Sequence, residues 1–332
     1  MPELDRVAVR IVIDSYQFAV APSRKLPNLD VQHFGWGLSD KPPRRTSISE
    51  FGLAMQVETR RGNETRNILV DFGFTPEALL NSTGLLGIDP AAIDALVLSH
   101  GHQDHFGGLV GFLQAYSGKL RPKLPLFVGG EGCFCAREWT GPPVKGSFGV
   151  IDRKALEGAD VTVTLAEKPA MVADHAVVTG QISKSFEKVL SPSAMTIGFD
   201  RGVGCSPERL SEAERSAPVV PDQFQHEIAT AFNLKGRGLV VLTSCSHPRG
   251  GQRDQASSSR NRCGKNSCGD RGLSSRALSR GLRSRHRQGT AGGRSHVVPL
   301  HCTGEPFYEA ARAAMPTKLL RSYTGTRLVF DA

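Results

Sequence analysis

Residues 95–99 read A-L-V-L-S, and the chain passes directly from them into H-G-H-Q-D-H at 100–105. An apolar run of four or five residues has the length of a buried strand rather than a helix. Two later runs repeat the arrangement. L-V-V-L-T at 239–243 leads into S-C-S-H, ending at His247, and V-V-P-L at 297–300 leads into His301. Three apolar strands that each deliver a histidine at their end predict one edge of a sheet where the imidazoles converge. L-V-V-L-T reads as a strongly buried strand.

The surrounding pattern alternates strands and helices. V-A-V-R-I-V-I at 7–13 is rich in β-branched residues and reads as a strand. Residues 20–48 are rich in Pro, Lys, Arg, Ser and Asp and read as a long loop. The runs at 53–59 and 67–71 flank R-R-G-N-E-T-R, a hairpin signal. Thr75 followed by Pro76 and Glu77 marks a helix start, with a cap, a pre-set φ and an acid at the positive end of the dipole. Asp89 caps a short helix at 90–95, and 106–116 reads as helical despite its glycines. Shorter strands are expected at 124–128, 161–165, 176–179 and 194–199.

Composition excludes several classes. The chain has 332 residues and 39% hydrophobic content, enough for a sizeable core. No apolar run approaches the roughly 18 residues that a membrane span needs. Residues 1–10 show no basic-then-apolar leader. Seven scattered cysteines, an odd number, fit reduced thiols better than a disulfide framework. A cytoplasmic location is expected on those grounds. The formal charge of +9 suggests nucleic acid, but residues 249–295 alone hold eleven Arg and one Lys against two Asp. The rest of the chain is close to neutral, so nucleic acid is not the expected partner.

Residues 100–105 carry the chemistry. Zinc takes neutral imidazole nitrogens and carboxylate oxygens at about 2.0–2.2 Å. His100 and His102 flank a glycine and can reach one ion, while Asp104 and His105 lie just beyond, suited to a second. Gly101, Gly107 and Gly108 leave the backbone free to turn around the cluster. Two ions about 3.5–4 Å apart polarise a phosphoryl or carbonyl oxygen and supply a nucleophile.

These motifs resemble the metallo-β-lactamase superfamily. The resemblance lies in I-L-V-D-F-G at 68–73 and L-S-H-G-H-Q-D-H-F-G-G at 98–108. Within it, T-G-Q-I at 179–182, the S-C-S-H strand and V-P-L-H-C-T-G at 298–304 resemble the 7,8-dihydropterin-6-methyl-4-(β-D-ribofuranosyl)aminobenzene 5'-phosphate synthase branch, linked to methanopterin-type cofactor synthesis. It implies an α/β fold, a four-layer αββα sandwich formed as a single domain over 1–332. It implies two divalent ions, zinc by ligand type, with His100, His102 and His247 around one. Asp104, His105 and His301 surround the other, and Asp104 is the candidate catalytic residue. Asp71 supports a ligand from behind. Cys245 stands where many relatives have a bridging aspartate, and it reads here as a buried structural thiol, as does Cys302. The implied activity is that of a hydrolase or transferase on a phosphorylated or pyrophosphorylated small molecule, with a dihydropterin the substrate the branch implies.

Two departures follow. Many hydrolases of the superfamily carry a further histidine on an intervening strand. His175 and His226 are the histidines available there, and neither fits a ligand motif. Lys184, Lys188, Arg137 and Arg153 are candidates for meeting an anionic substrate, and Glu187 for an active-site carboxylate. Residues 249–295 also lack the helices, strand and Phe-His motif that the branch places between S-C-S-H and H-C-T-G. Arg, Ser and Gly dominate them, and such a composition cannot offset the entropy of ordering. Compensating frameshifts or a basic RNA-binding insertion account for that composition, the former leaving an inactive product. A nuclease of the same superfamily is the other alternative function.

Overall fold

The computed structural model describes residues 1–18, 20–34, 45–141, 145–182, 191–247 and 296–332. The expectations for Lys184, Glu187, Lys188 and the tract 249–295 lie outside the described residues.

A nine-stranded sheet forms the centre. Its order is Val161–Leu165, Leu124–Val128, Ala95–Leu98, Glu64–Val70, Ala54–Arg61, Arg6–Ile13, Arg327–Asp331, Leu29–Gln32 and Arg24–Leu26. The first four strands run parallel and the rest are antiparallel. Both faces are covered, so alternate residues of one strand enter different cores. Leu96 and Leu98 join Leu79, Leu109 and Phe112 beneath the helices Pro76–Leu85 and Leu109–Ala115. Ala95 and Val97 join Val9, Ile68, Val178 and Phe232 against a second sheet. Sheet against sheet with helices outside is the expected αββα layering.

The second sheet is built on Thr230–Leu234, which pairs with Ala176–Val178, Glu3–Leu4 and Gly238–Leu242. Arg61 and Glu64 pair across a two-residue turn in which Gly62 takes a positive φ of 59°, as a tight hairpin demands. Thr75 caps its helix by accepting from Ala78 N.

Several expectations need correction. Residues 20–34 are not loop throughout: Arg24–Leu26 and Leu29–Gln32 form a hairpin that continues the large sheet past Arg327–Asp331. Gly238–Leu242 is a strand but not a buried one. It pairs only with Thr230–Leu234 among the described residues, and Leu239 is 60% exposed. Residues 297–300 form no strand. One bridge, Val297 to Leu319, is their ladder pairing, and Pro299 has no N–H to extend it. Cys135 and Cys205 are disulfide-bonded rather than reduced. Among the described residues, no helix is long and apolar enough to cross a membrane.

Candidate metal centre

The parallel strands end on one side, and the loops leaving them build the site, the usual location in open α/β sheets. Asp71 follows Glu64–Val70, and residues 100–105 follow Ala95–Leu98. Backbone hydrogen bonds lock the loops together: Phe72 N donates to His105 O at 2.7 Å and Leu53 N to Asp104 O at 3.1 Å. The glycines serve this contact rather than a turn. A Cβ on Gly108 would lie 2.2 Å from Phe72 O, and one on Gly107 would lie 2.0 Å from Phe74 O.

Six predicted side chains come together. The rings of His100, His102 and His247 lie 4.9–5.0 Å apart, centroid to centroid, and their nitrogens form one compact set. His301 Nε2 lies 2.8 Å and His105 Nε2 3.4 Å from Asp104 Oδ2. The His100 and His105 rings, 4.2 Å apart, join the two groups. All but His247 are buried.

Surrounding groups aim the rings. Asp71 Oδ2 holds His105 Nδ1 at 2.9 Å while Asp71 also accepts from Ser99 N and Oγ, so the far nitrogen of His105 faces Asp104. Asp14 Oδ1 accepts from His301 N at 2.8 Å, and Ser15 Oγ lies 3.3 Å from His301 Nδ1. Phe224 stacks on His247 at 4.0 Å. Asp71, Ser246 and His301 all have φ between 46° and 58°, a left-handed conformation costing about 1–3 kcal/mol for such residues and concentrated at functional sites.

The electrostatics divide the site in two. Burial, with neighbouring imidazoles adding to it, holds His100 and His102 well below the usual imidazole range. Burial likewise pulls His247 down to about 4. Burial also opposes charge on His105, but Asp104, Cys245 and Asp71 outweigh it and raise His105 well above that range. His301 is raised despite its burial, chiefly by its hydrogen bond to Asp104. Asp104 is held well below the carboxylate range, His105 and His301 overriding the cost of burial.

A divalent cation fits these donors. Among the described residues, Nε2 of His100, Nε2 of His247 and Oδ1 of Asp104 are buried without a hydrogen-bond partner. Each such atom costs about 1–3 kcal/mol unless something pairs with it. Neutral imidazoles with free Nε2 lone pairs beside a carboxylate are the donors zinc prefers.

Other candidates fall elsewhere. His175 bonds Thr59 Oγ1 at 2.8 Å, outside the cluster. His226 accepts from Arg137 Nη2 at 2.9 Å. Arg137 is wholly buried, bonded to Asp222 and to the carbonyls of Gly132, Cys133 and Cys135, so it does not meet a substrate. Arg153 pairs with Glu131 and covers the Phe134 ring. Cys245 is half-buried rather than sealed in a core, its sulfur 3.3 Å from His105 Nε2 and 3.1 Å from Cys302 Sγ. Ser244, absent from the sequence-based set, lies 3.2 Å from His105 Nδ1 and 3.3 Å from His100 Nδ1. Its place at the head of S-C-S-H, just past Gly238–Leu242, is the signal that could have found it.

The chain is similar to several known proteins. The family described as the metallo-beta-lactamase superfamily matches residues 57–124. The chain is 27% identical over 202 residues to the 7,8-dihydropterin-6-methyl-4-(beta-D-ribofuranosyl)-aminobenzene-5'-phosphate synthase of Methanocaldococcus jannaschii, a span of 60% of this chain and 62% of that protein. A crystal structure described as a metal-dependent hydrolase of the beta-lactamase superfamily superposes with a TM-score of 0.59 at 17% identity, covering 97% of this chain and 98% of the other.

Proposed function

We propose that this chain, which has the metallo-β-lactamase fold, is a two-metal enzyme acting on a phosphorylated or pyrophosphorylated small molecule, with a dihydropterin as the favoured class. The observation that carries the reading is the meeting of His100, His102, His247, Asp104, His105 and His301 with partnerless donor atoms among them. The similarity to a dihydropterin synthase supplies the substrate class.

His100, His102 and His247 would hold one ion, and Asp104, His105 and His301 the other. When bound, such ions polarise a phosphoryl oxygen and neutralise the charge gathering on a departing phosphate. The chain's own residues do the rest. Asp71 fixes the tautomer and direction of His105 by accepting from its Nδ1. Ser15 Oγ faces Nδ1 of His301 in the same way, and Asp14 anchors its backbone by accepting from the His301 N–H. Asp104 is the group placed to take the proton of the attacking hydroxyl or amine. Phe148 lies 4.9 Å from the His102 ring, and the exposed Phe51 lies 4.8 Å from the His301 ring. These aromatic surfaces border the two ends of the cluster, and flat heteroaromatic rings stack on such surfaces. The near-neutral charge outside 249–295 gives no support to a nuclease.

Turnover tests this reading. Purified chain loaded with zinc or manganese is assayed against pterin pyrophosphates and phosphodiesters, with and without an arylamine acceptor. Release of phosphate or pyrophosphate that His247→Ala reduces by at least 100-fold is the expected result. Turnover with acceptor alone marks a transferase, and turnover by water a hydrolase. No turnover of any phosphorylated compound by metal-loaded chain contradicts the reading.

A further inference from the structure

His247 follows Gly238–Leu242, a strand exposed along much of its length, so its own strand does little to aim its ring. A stretch that carries none of the candidate donors, residues 222–228, supplies the grip. Glu227 is 1% exposed, and its Oε1 accepts from Ser246 N at 2.7 Å. Ser246 adjoins His247 and has a φ of 58°, so the carboxylate pairs the N–H of a turn that a serine adopts only when its surroundings hold it there. Phe224 lies against the His247 ring, with centroids 4.0 Å apart and planes 27° apart, and meets the His102 ring edge-on. Phe224 is held in turn. Its N donates to Asp222 Oδ1 at 2.9 Å, and Asp222 Oδ2 accepts from the buried Arg137 at 2.7 Å. Asp222 N donates to Ser193 O, and Ser193 Oγ lies 3.4 Å from His102 Nε2. Ile228 N donates at 2.9 Å to the carbonyl of Ser99, which adjoins His100. One stretch therefore registers His100, His102 and His247 against each other. His105 and His301 are held instead by Asp71, Ser15 and Asp14.

We infer that residues 222–228 are the template on which the imidazole seat is assembled. Glu227 is the positioning residue that aims His247 through the Ser246 N–H, and Phe224 is the plate on which its ring rests. The inference rests on reading His100, His102 and His247 as one cation seat. Glu227 acts at one remove, because it touches the backbone beside a donor and not the cation. Without its acceptor the Ser246 N–H is left unpaired, Ser246 leaves its left-handed conformation, and the His247 ring turns away from its two partners. Without Phe224 the ring keeps its backbone position but loses the surface that fixes its plane. In both cases the damage falls on one seat of the two.

Zinc titration of the full, metal-free chain against a chromophoric chelator tests the proposal. The binding step that His247→Ala abolishes identifies the imidazole seat. Glu227→Leu keeps the bulk of the side chain and removes the acceptor, whereas Glu227→Gln keeps an acceptor oxygen. Glu227→Leu and Phe224→Leu should each weaken that step by about 10–100-fold, the loss usual when the support behind a ligand is removed, and leave the other step unchanged. Glu227→Gln should keep most of the affinity. A second measurement needs no metal. In nuclear magnetic resonance spectra of metal-free chain with carbon-13-labelled histidine, the His247 ring protons should lie at high field, shielded by the Phe224 face. That shift should vanish in Phe224→Leu and shrink in Glu227→Leu but not in Glu227→Gln. If Glu227→Leu fails to fold, Phe224→Leu and the shift in the unaltered chain carry the test. No weakening, equal weakening of both steps, an unshifted His247 ring, or Glu227→Gln as weak as Glu227→Leu would each overturn the positioning role and leave the two-cation reading standing. If His247→Ala abolishes no binding step, the seat itself is defeated, and the ring shift alone decides the positioning.

Discussion

The rings of His100 and His105 sit 4.2 Å apart in the same loop, yet their proton affinities are driven in opposite directions. Burial among other imidazoles keeps His100 neutral, whereas Asp104, Cys245 and Asp71 favour the charged form of His105. A cation entering the His100, His102 and His247 seat therefore has no proton to displace at neutral pH. One entering the other seat must displace protons from His105 and His301. Raised folded pKa values mean that these protons are held below the shifted pKa and released as pH rises through it. Zinc affinity of the second seat should thus climb with pH, while the first changes little. Titration by calorimetry at two pH values should show a tighter second binding step at the higher one. Equal affinity of both seats at the two pH values would contradict the electrostatic division. Asp71 is a second test at this scale. Asp71→Asn exchanges an acceptor of the His105 Nδ1 proton for an amide that can turn its NH2 toward it, and loss of such support costs about 10–100-fold in metal affinity. Competition with a chromophoric chelator measures it.

The histidine-bearing segments differ in kind, although the sequence showed them as three similar strands. Ala95–Leu98 is central and parallel, buried on both faces. Gly238–Leu242 is an edge strand with Leu239 and Val241 exposed. Residues 297–300 are held by hydrogen bonds from Val297 N to Lys318 O and from Leu320 N to Val297 O. Apolar content and length cannot separate these cases, because exposure depends on neighbours that a single sequence does not reveal. The site was more legible than the strands. Histidines in H-X-H-X-D-H and just past two apolar runs announce donors whatever pairing the backbone uses. The Arg137–Asp222 pair and the contact between Cys245 and Cys302 left no such mark, since their partners lie 85 and 57 residues apart. The element-scale prediction follows from burial. Leu98→Ala should cost about 2–5 kcal/mol by leaving a cavity in the helix-side core. Val241→Thr on the edge strand should stay within about 0.5 kcal/mol. Urea denaturation of both variants compares them, and equal losses would show that the edge strand is covered in solution.

At the scale of the whole molecule, residues before 248 and after 295 are woven into one sheet. Arg327–Asp331 lies between Arg6–Ile13 and Leu29–Gln32, and Leu320 and Leu328 share a core with Val7 and Phe232. We read this as one cooperative unit, so calorimetry of the metal-loaded chain should give a single unfolding transition. Two separable transitions would contradict it. The candidate donors come from three separated stretches, His100–His105, His247 and His301, braced by Asp71 and Asp14. An ion bound there cross-links the fold and is absent from the unfolded chain. Zinc at about 100 times its dissociation constant should add about 2.7 kcal/mol, and chelation should lower Tm accordingly. All of this depends on His247 and His301 seating cations with the loop that follows Ala95–Leu98. Anomalous diffraction from a zinc-soaked crystal, recorded at the zinc absorption edge, tests that most directly. Two peaks about 3.5–4 Å apart, one among His100, His102 and His247 and one beside Asp104 and His301, are the predicted result. A map with no peak in this cluster, from crystals whose zinc content is confirmed, would contradict it.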